Sequence, residues 1–121
     1  MIQSSKYDLE ERTFQFSKEV RLFIKSLDKT IANLEDAKQV VRSSGSIGAN
    51  YIEANESLSK KDFIYRLKIS RKEAKESRFF LHLIDFEKSE KQVEDCNWLI
   101  QESTELMNIF GAIIRNHKSK N

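Results

Sequence analysis

The chain has no proline, only three glycines and a single cysteine among its 121 residues. The shortage of turn residues argues against a β-sandwich or barrel, whose many reversals need them. The one thiol, Cys96, can form no internal disulfide, so nothing suggests a cross-linked secreted framework. No apolar run approaches the length of a membrane span, and Met1 to Tyr7 contain no apolar signal core. The expectation is a cytoplasmic protein with no membrane role. An excess of one charge is also missing: the net charge is +2, too small for a global field favouring nucleic acid or an anionic membrane. Signatures of catalysis are absent as well. Neither histidine, His82 or His117, has a glutamate three residues before it, as ferritin-type metal sites in helical bundles require. Cys96 has no partner at zinc-ligand spacing. No phosphate loop, dinucleotide fingerprint or nucleophile elbow occurs. The expectation is no metal, no cofactor and no enzymatic activity.

What is present is charge and amphipathic periodicity. Charged residues make up 33% and hydrophobic residues 39%, a composition suited to soluble helices in a single domain. Leu9, Thr13, Phe16, Val20, Phe23 and Leu27 recur at spacings of three and four and predict a first helix over about 8–28, with Asp8 as its N-cap. Thr30 or Asn33 then caps a second helix over about 33–57. Ser59, with Asp62 three residues on, forms a capping-box-like start for a third helix over about 60–87. Its inner seam reads Phe63, Leu67, Ser70, Ala74, Ser77, Leu81 and Ile84. After the polar break 87–91, the stripe from Cys96 through Leu99, Ser103, Leu106 and Phe110 to Ile114 predicts a fourth helix over about 92–117. Four such helices joined by short links make an all-α, antiparallel up-and-down four-helix bundle.

The stretch Arg42 to Ala54 is rich in Ser, Gly and Ala, so a loop is one reading. At about 100° per residue, however, Val40, Ser44, Ile47, Tyr51, Ala54 and Leu58 share one side, while Arg42, Ser46, Asn50 and Glu53 share the other. That sorting points to the middle of a helix. Interior glycines cost about 1 kcal/mol each relative to alanine, so Gly45 and Gly48 imply close approach of another backbone. The third seam is also small at its centre, so Ser70, Ala74 and Ser77 are expected against Ser44 and Gly48.

Two surfaces stand out. Phe79, Leu83 and Phe86, with Tyr65, lie on the outer side of the third helix and are expected to be covered by self-association, or else by a loop or the first-helix N-terminus. Charge is segregated: residues 59–78 carry eight cations against three anions, while 85–105 carry two against seven. Lys61, Lys68, Lys72 and Lys75 form an outer stripe, joined by Arg71, Arg78 and, near the end of the chain, Arg115 and Lys118. Such a stripe suits phosphate backbones of RNA or DNA, without sequence preference. The alternatives are a solvated helix face, or attraction between the basic and acidic segments. The polar row Arg42, Ser46, Asn50 and Glu53 needs partners, for which Glu73, Glu76 and Arg71 are candidates. It reads as a register-setting network or a ligand contact.

The residues Tyr7 to Thr13, the pattern from Val41 to Ala54, Lys61-Asp62-Phe63 and Arg71 to Ser77 resemble the bacterial proteins encoded in intervening sequences of 23S ribosomal RNA genes. The resemblance covers most of the chain. It implies an up-down-up-down bundle and a ring-shaped homopentamer. It extends to the accessory protein of diversity-generating retroelements, which implies nucleic acid and a reverse transcriptase as partners. A protein-interaction scaffold with no nucleic-acid role is the alternative.

Overall fold

A computed structural model of the protein describes residues 6–85 and 89–119, with side chains over 9–85 and 89–117. Helices α1 (Lys6–Lys25), α2 (Ile31–Asn55), α3 (Lys60–Leu83) and α4 (Glu90–Ser119) account for nearly all of it. Each helix packs against its neighbour in sequence, and α1 closes against α4 over the least extensive contact. The result is the antiparallel four-helix bundle that the periodicity predicts.

The core is the set of stripes read from the sequence. Phe16, Val20, Val40, Ile47, Leu67, Ala74, Leu106 and Phe110 have no exposed surface. Tyr51 packs against Phe110 with ring centroids 5.7 Å apart. Burial of this kind contributes about 1.5–3 kcal/mol per large apolar side chain.

Helix ends depart from expectation for local reasons. α1 starts two residues before Asp8, so Asp8 is inside the helix rather than its cap. α1 stops short of 28 because Ser26 and Leu27 donate their N–H groups to Phe23 and Ile24, tightening the last turn. Thr30 caps α2, its hydroxyl accepting from the Asn33 N–H at 3.1 Å. Asn33 does something else. Its buried amide donates to Asp28 O at 3.0 Å and to Asp85 O at 2.7 Å, and accepts from the Asp85 N–H at 3.1 Å. That grip holds the chain extended after Leu83, so α3 ends well before 87. Ser59 caps α3 as expected, accepting from the Asp62 N–H at 3.1 Å. Ser89 accepts from the Gln92 N–H at 3.2 Å and starts α4 at Glu90, before position 92. Leu58, expected in the core, is 100% exposed. α2 closes at Asn55 with tight bonds from the Glu56 and Ser57 N–H groups, and the helical phase is lost before Leu58.

The Arg42–Ala54 stretch is helical throughout, and its small residues serve two neighbours. Toward α3, Ser43 Oγ meets Ser77 Oγ at 2.7 Å, and Ser70 Oγ donates to Ile47 O at 2.9 Å. Gly48 does not face α3 as expected. It faces α1, where an added Cβ would lie 2.8 Å from Thr13 Oγ1 and 3.2 Å from Thr13 Cβ. Gly45 also faces α1 but has room, its nearest atoms being 3.8 Å away on Arg21 and Ser17. Only one of the two glycines is therefore required by packing. Gly45→Ala should stabilise by up to about 1 kcal/mol through helix propensity. Gly48→Ala should destabilise, because overpacking costs about 1–3 kcal/mol and outweighs that gain. Opposite shifts in the urea midpoint check the pair; equal shifts would show that Thr13 yields to the added methyl group at no cost.

Candidate nucleic-acid interface

α3 owes its basic outer face to its period. Leu67, Ser70, Ala74, Ser77 and Leu81 are buried, and Lys61, Lys68, Lys72 and Lys75 stand exposed on the far side. The sequence-predicted cations then divide. Arg78 is half-buried and donates from Nε to Thr104 Oγ1 at 2.8 Å, so it ties α3 to α4. Arg71 and Arg115 are brought together. Both run over the bare backbone of Gly111, where an added Cβ would lie 3.8 Å from Arg71 Cδ and 3.4 Å from Arg115 Nη1. Lys118 lies in the last turn of α4, with its side chain outside the described residues.

The partners of the other arginines set this pair apart. Arg12 forms a two-pronged ion pair with Glu102 at 2.7 and 2.9 Å and also reaches Glu105 at 2.7 Å. Arg42 pairs with Glu73 and Glu76, Arg66 donates to Asn50, and Arg21 donates to Ser17. Among the described residues, neither Arg71 nor Arg115 has a carboxylate partner. Nor does Lys61, Lys72 or Lys75 pair with the acidic residues of α4. Arg71 Cδ and Arg115 Nη1 thus meet across one small residue, and guanidinium groups that approach each other in water without an anion repel modestly. An oxyanion placed between them removes that repulsion and accepts charge-assisted hydrogen bonds.

The polar row on α2 is a strut between helices. Glu73, largely buried, receives Arg42 at 3.4 Å, and Glu76 receives the other branch of the same guanidinium. Asn50 donates to Ser46 Oγ at 3.0 Å and accepts from Arg66 Nη1 at 3.0 Å. Arg66, not Arg71, is thus the α3 cation in this network. Glu53 is exposed and stands outside it. Its carboxylate stands in water, where pairing with a surface cation gains little.

Sequence reasoning missed the α1–α4 tie made by Arg12, Glu102 and Glu105. The only signal was a cation beside the buried Thr13. The Glu105 carboxyl is held below its usual value by hydrogen bonds from Gln101 and Arg12. A depressed carboxylate contributes stability above its unfolded pKa and loses it as pH falls through the lower folded value. Glu105→Gln should therefore flatten a small part of the acid limb of a pH–stability curve, small because Glu105 is exposed. An unchanged acid limb would count against the contact.

Tyr65, Phe79 and Leu83 are exposed as expected, Phe79 at 58%, while Phe86 falls outside the described residues. Cys96 is buried among the core side chains, and burial pushes its thiol up. Among the described residues no group of three His, Cys, Asp or Glu converges to hold a metal, and no helix is long and apolar enough to cross a membrane.

No curated protein matches the chain. A solved structure of similar shape is a protein of unknown function from the S23 ribosomal protein family of Bacteroides thetaiotaomicron, 29% identical. The match covers 87% of this chain and 96% of that one, with a TM-score of 0.69. The family model for 23S rRNA-intervening sequence proteins matches residues 5–112, the span that holds the α2 pattern, the α3 cations and Gly111. The chain belongs to the 23S rRNA-intervening sequence protein family.

Proposed function

We propose that this protein is a non-enzymatic, self-assembling bundle that holds the phosphate backbone of RNA or DNA without reading its sequence. The observation that carries the reading is that the side chains of Arg71 and Arg115 both lie against Gly111, neither with a carboxylate partner among the described residues. Lys61, Lys68, Lys72 and Lys75 extend the same positive field along α3. Self-assembly multiplies that field and covers the exposed Phe79 and Leu83. The fivefold ring rests on the family resemblance alone. Backbone binding of this kind has a clear signature: log K falls steeply and linearly with log salt, and duplexes of unrelated sequence bind alike. Titration of a labelled RNA duplex at several salt concentrations tests it. Absence of binding at low salt would leave the second reading, a protein-interaction scaffold, which the exposed aromatic and aliphatic side chains also favour.

A further inference from the structure

The two flanks of α4 differ in charge. The groove between α4 and α1, about 590 Å³ and floored by Phe23 and Leu99, carries Glu19 and Asp95 as well as Lys91. The valley between α4 and α3 carries Arg71, Arg78 and Arg115, with Lys75 on its rim. The carboxylates within 68–78 and 102–115 are all drawn away from that valley. Glu73 and Glu76 turn to Arg42 on α2, and Glu102 and Glu105 turn to Arg12 on α1. On the α4 side, Thr104 is occupied by Arg78. Asn108, one turn further on, is exposed, and among the described residues its amide has no hydrogen-bond partner. Asn108 precedes Gly111 by three residues and Arg115 follows it by four. Amide and guanidinium therefore share one flank of α4, about 10 Å apart along its axis, with Gly111 between them.

We propose that Asn108 bonds the ribose 2′-hydroxyl next to a phosphate held by Arg71 and Arg115, so that the site prefers RNA to DNA. The inference rests on the phosphate-binding reading above and adds which nucleic acid is held. A bridging phosphate only accepts hydrogen bonds, and guanidinium groups only donate them, so the arginines serve RNA and DNA alike. A 2′-hydroxyl both donates and accepts, as a carboxamide does, and DNA lacks that group. Asn108 is the free side chain of matching chemistry beside the two arginines. The breadth of the surface points the same way. A helix about 10–12 Å across does not enter the minor groove of B-DNA, which is about 6 Å wide. A-form RNA displays its 2′-hydroxyls in a wide, shallow minor groove that the flanks of α3 and α4 can meet.

Duplexes of one sequence in different chemistries test the contact: RNA, DNA, and RNA with its 2′-hydroxyls methylated, which keeps the A-form but removes the donor. At one low salt concentration the protein should bind RNA about fivefold tighter than either of the others, the effect of one net hydrogen bond. Asn108→Ala should bring RNA down to the level of the other two. It should leave the slope of log K against log salt unchanged, because a neutral amide releases no counterion. Asn108 is exposed and holds no other side chain, so helicity and the unfolding midpoint should also stay put. Equal affinity for all the duplexes, with a steep salt slope, would overturn the 2′-hydroxyl contact and leave phosphate binding standing. An RNA preference that survives in Asn108→Ala, or methylated RNA that binds as tightly as RNA, would overturn it as well. A sequence dependence that disappears in Asn108→Ala would assign the amide to a base edge instead. Absence of binding to any duplex at low salt would remove the phosphate site and this contact with it.

Discussion

Arg71→Glu combined with Arg115→Glu is expected to lower affinity for an RNA or DNA duplex about a hundredfold at low salt, with the bundle and its assembly unchanged. Each phosphate that is no longer neutralised takes about 0.9 from the slope of log K against log salt on B-DNA, so two such phosphates take roughly 2. Reversal of charge adds repulsion that neutral substitution lacks. Arg71→Ala with Arg115→Ala should therefore flatten the slope equally and cost less affinity. Helicity and unfolding midpoint should hold, because neither arginine has a carboxylate partner among the described residues whose loss would be felt. Arg78→Ala is the informative contrast. Its guanidinium is tied to Thr104, so its loss should lower stability modestly and affect binding less. Unchanged affinity and slope in the Arg71/Arg115 variant would remove the phosphate site.

Asn33→Ala is expected to cost about 3 kcal/mol in urea unfolding, with the m-value unchanged. The buried amide makes three hydrogen bonds that pin the α1–α2 link to the α3–α4 link through Asp28 and Asp85. Each bond contributes about 1 kcal/mol net, and groups left unpaired cost more than bonds never made. Alanine also leaves a small void. Asn33→Asp separates the causes, since its shape is nearly the same but both donors are gone. At neutral pH its carboxylate faces the carbonyl oxygens of Asp28 and Asp85 and should destabilise at least as much as alanine. Protonation restores one donor, so the aspartate variant should regain stability relative to wild type as pH falls through the raised carboxyl pKa. A cost below about 0.5 kcal/mol, typical of surface changes, would show that the links are held by burial of Leu27 and Ile84 instead.

Much of the candidate site could be read from the chain. That Lys61, Lys68, Lys72 and Lys75 share an outer face follows from the period of one helix, and burial of Leu67, Ala74 and Leu81 on the opposite side bears it out. The convergence of Arg71 and Arg115 does not follow from any period. Each is one of several surface cations until α3 and α4 are laid side by side with Gly111 between them. The same holds for Arg66 rather than Arg71 as the partner of Asn50, and for Arg12 against Glu102. Short-range rules also give way at the ends of helices. The period of α2 carries Leu58 into the core only if the helix runs on, and two backbone bonds close it first.

The division follows from what each level of physics can specify. Periodicity and capping chemistry are local, so the order of amino acids was enough to determine four amphipathic helices, their buried stripes, the caps at Thr30 and Ser59 and the basic outer face of α3. A stripe says which side of a helix turns inward. It does not say which flank meets which neighbour, because a bundle turning the other way buries the same stripes and exchanges the flanks. Only the tertiary structure decided that Gly48 meets Thr13 on α1 while Ser43 and Ile47 meet α3. The same choice of turn placed Arg71 beside Arg115 and opened the groove between α1 and α4.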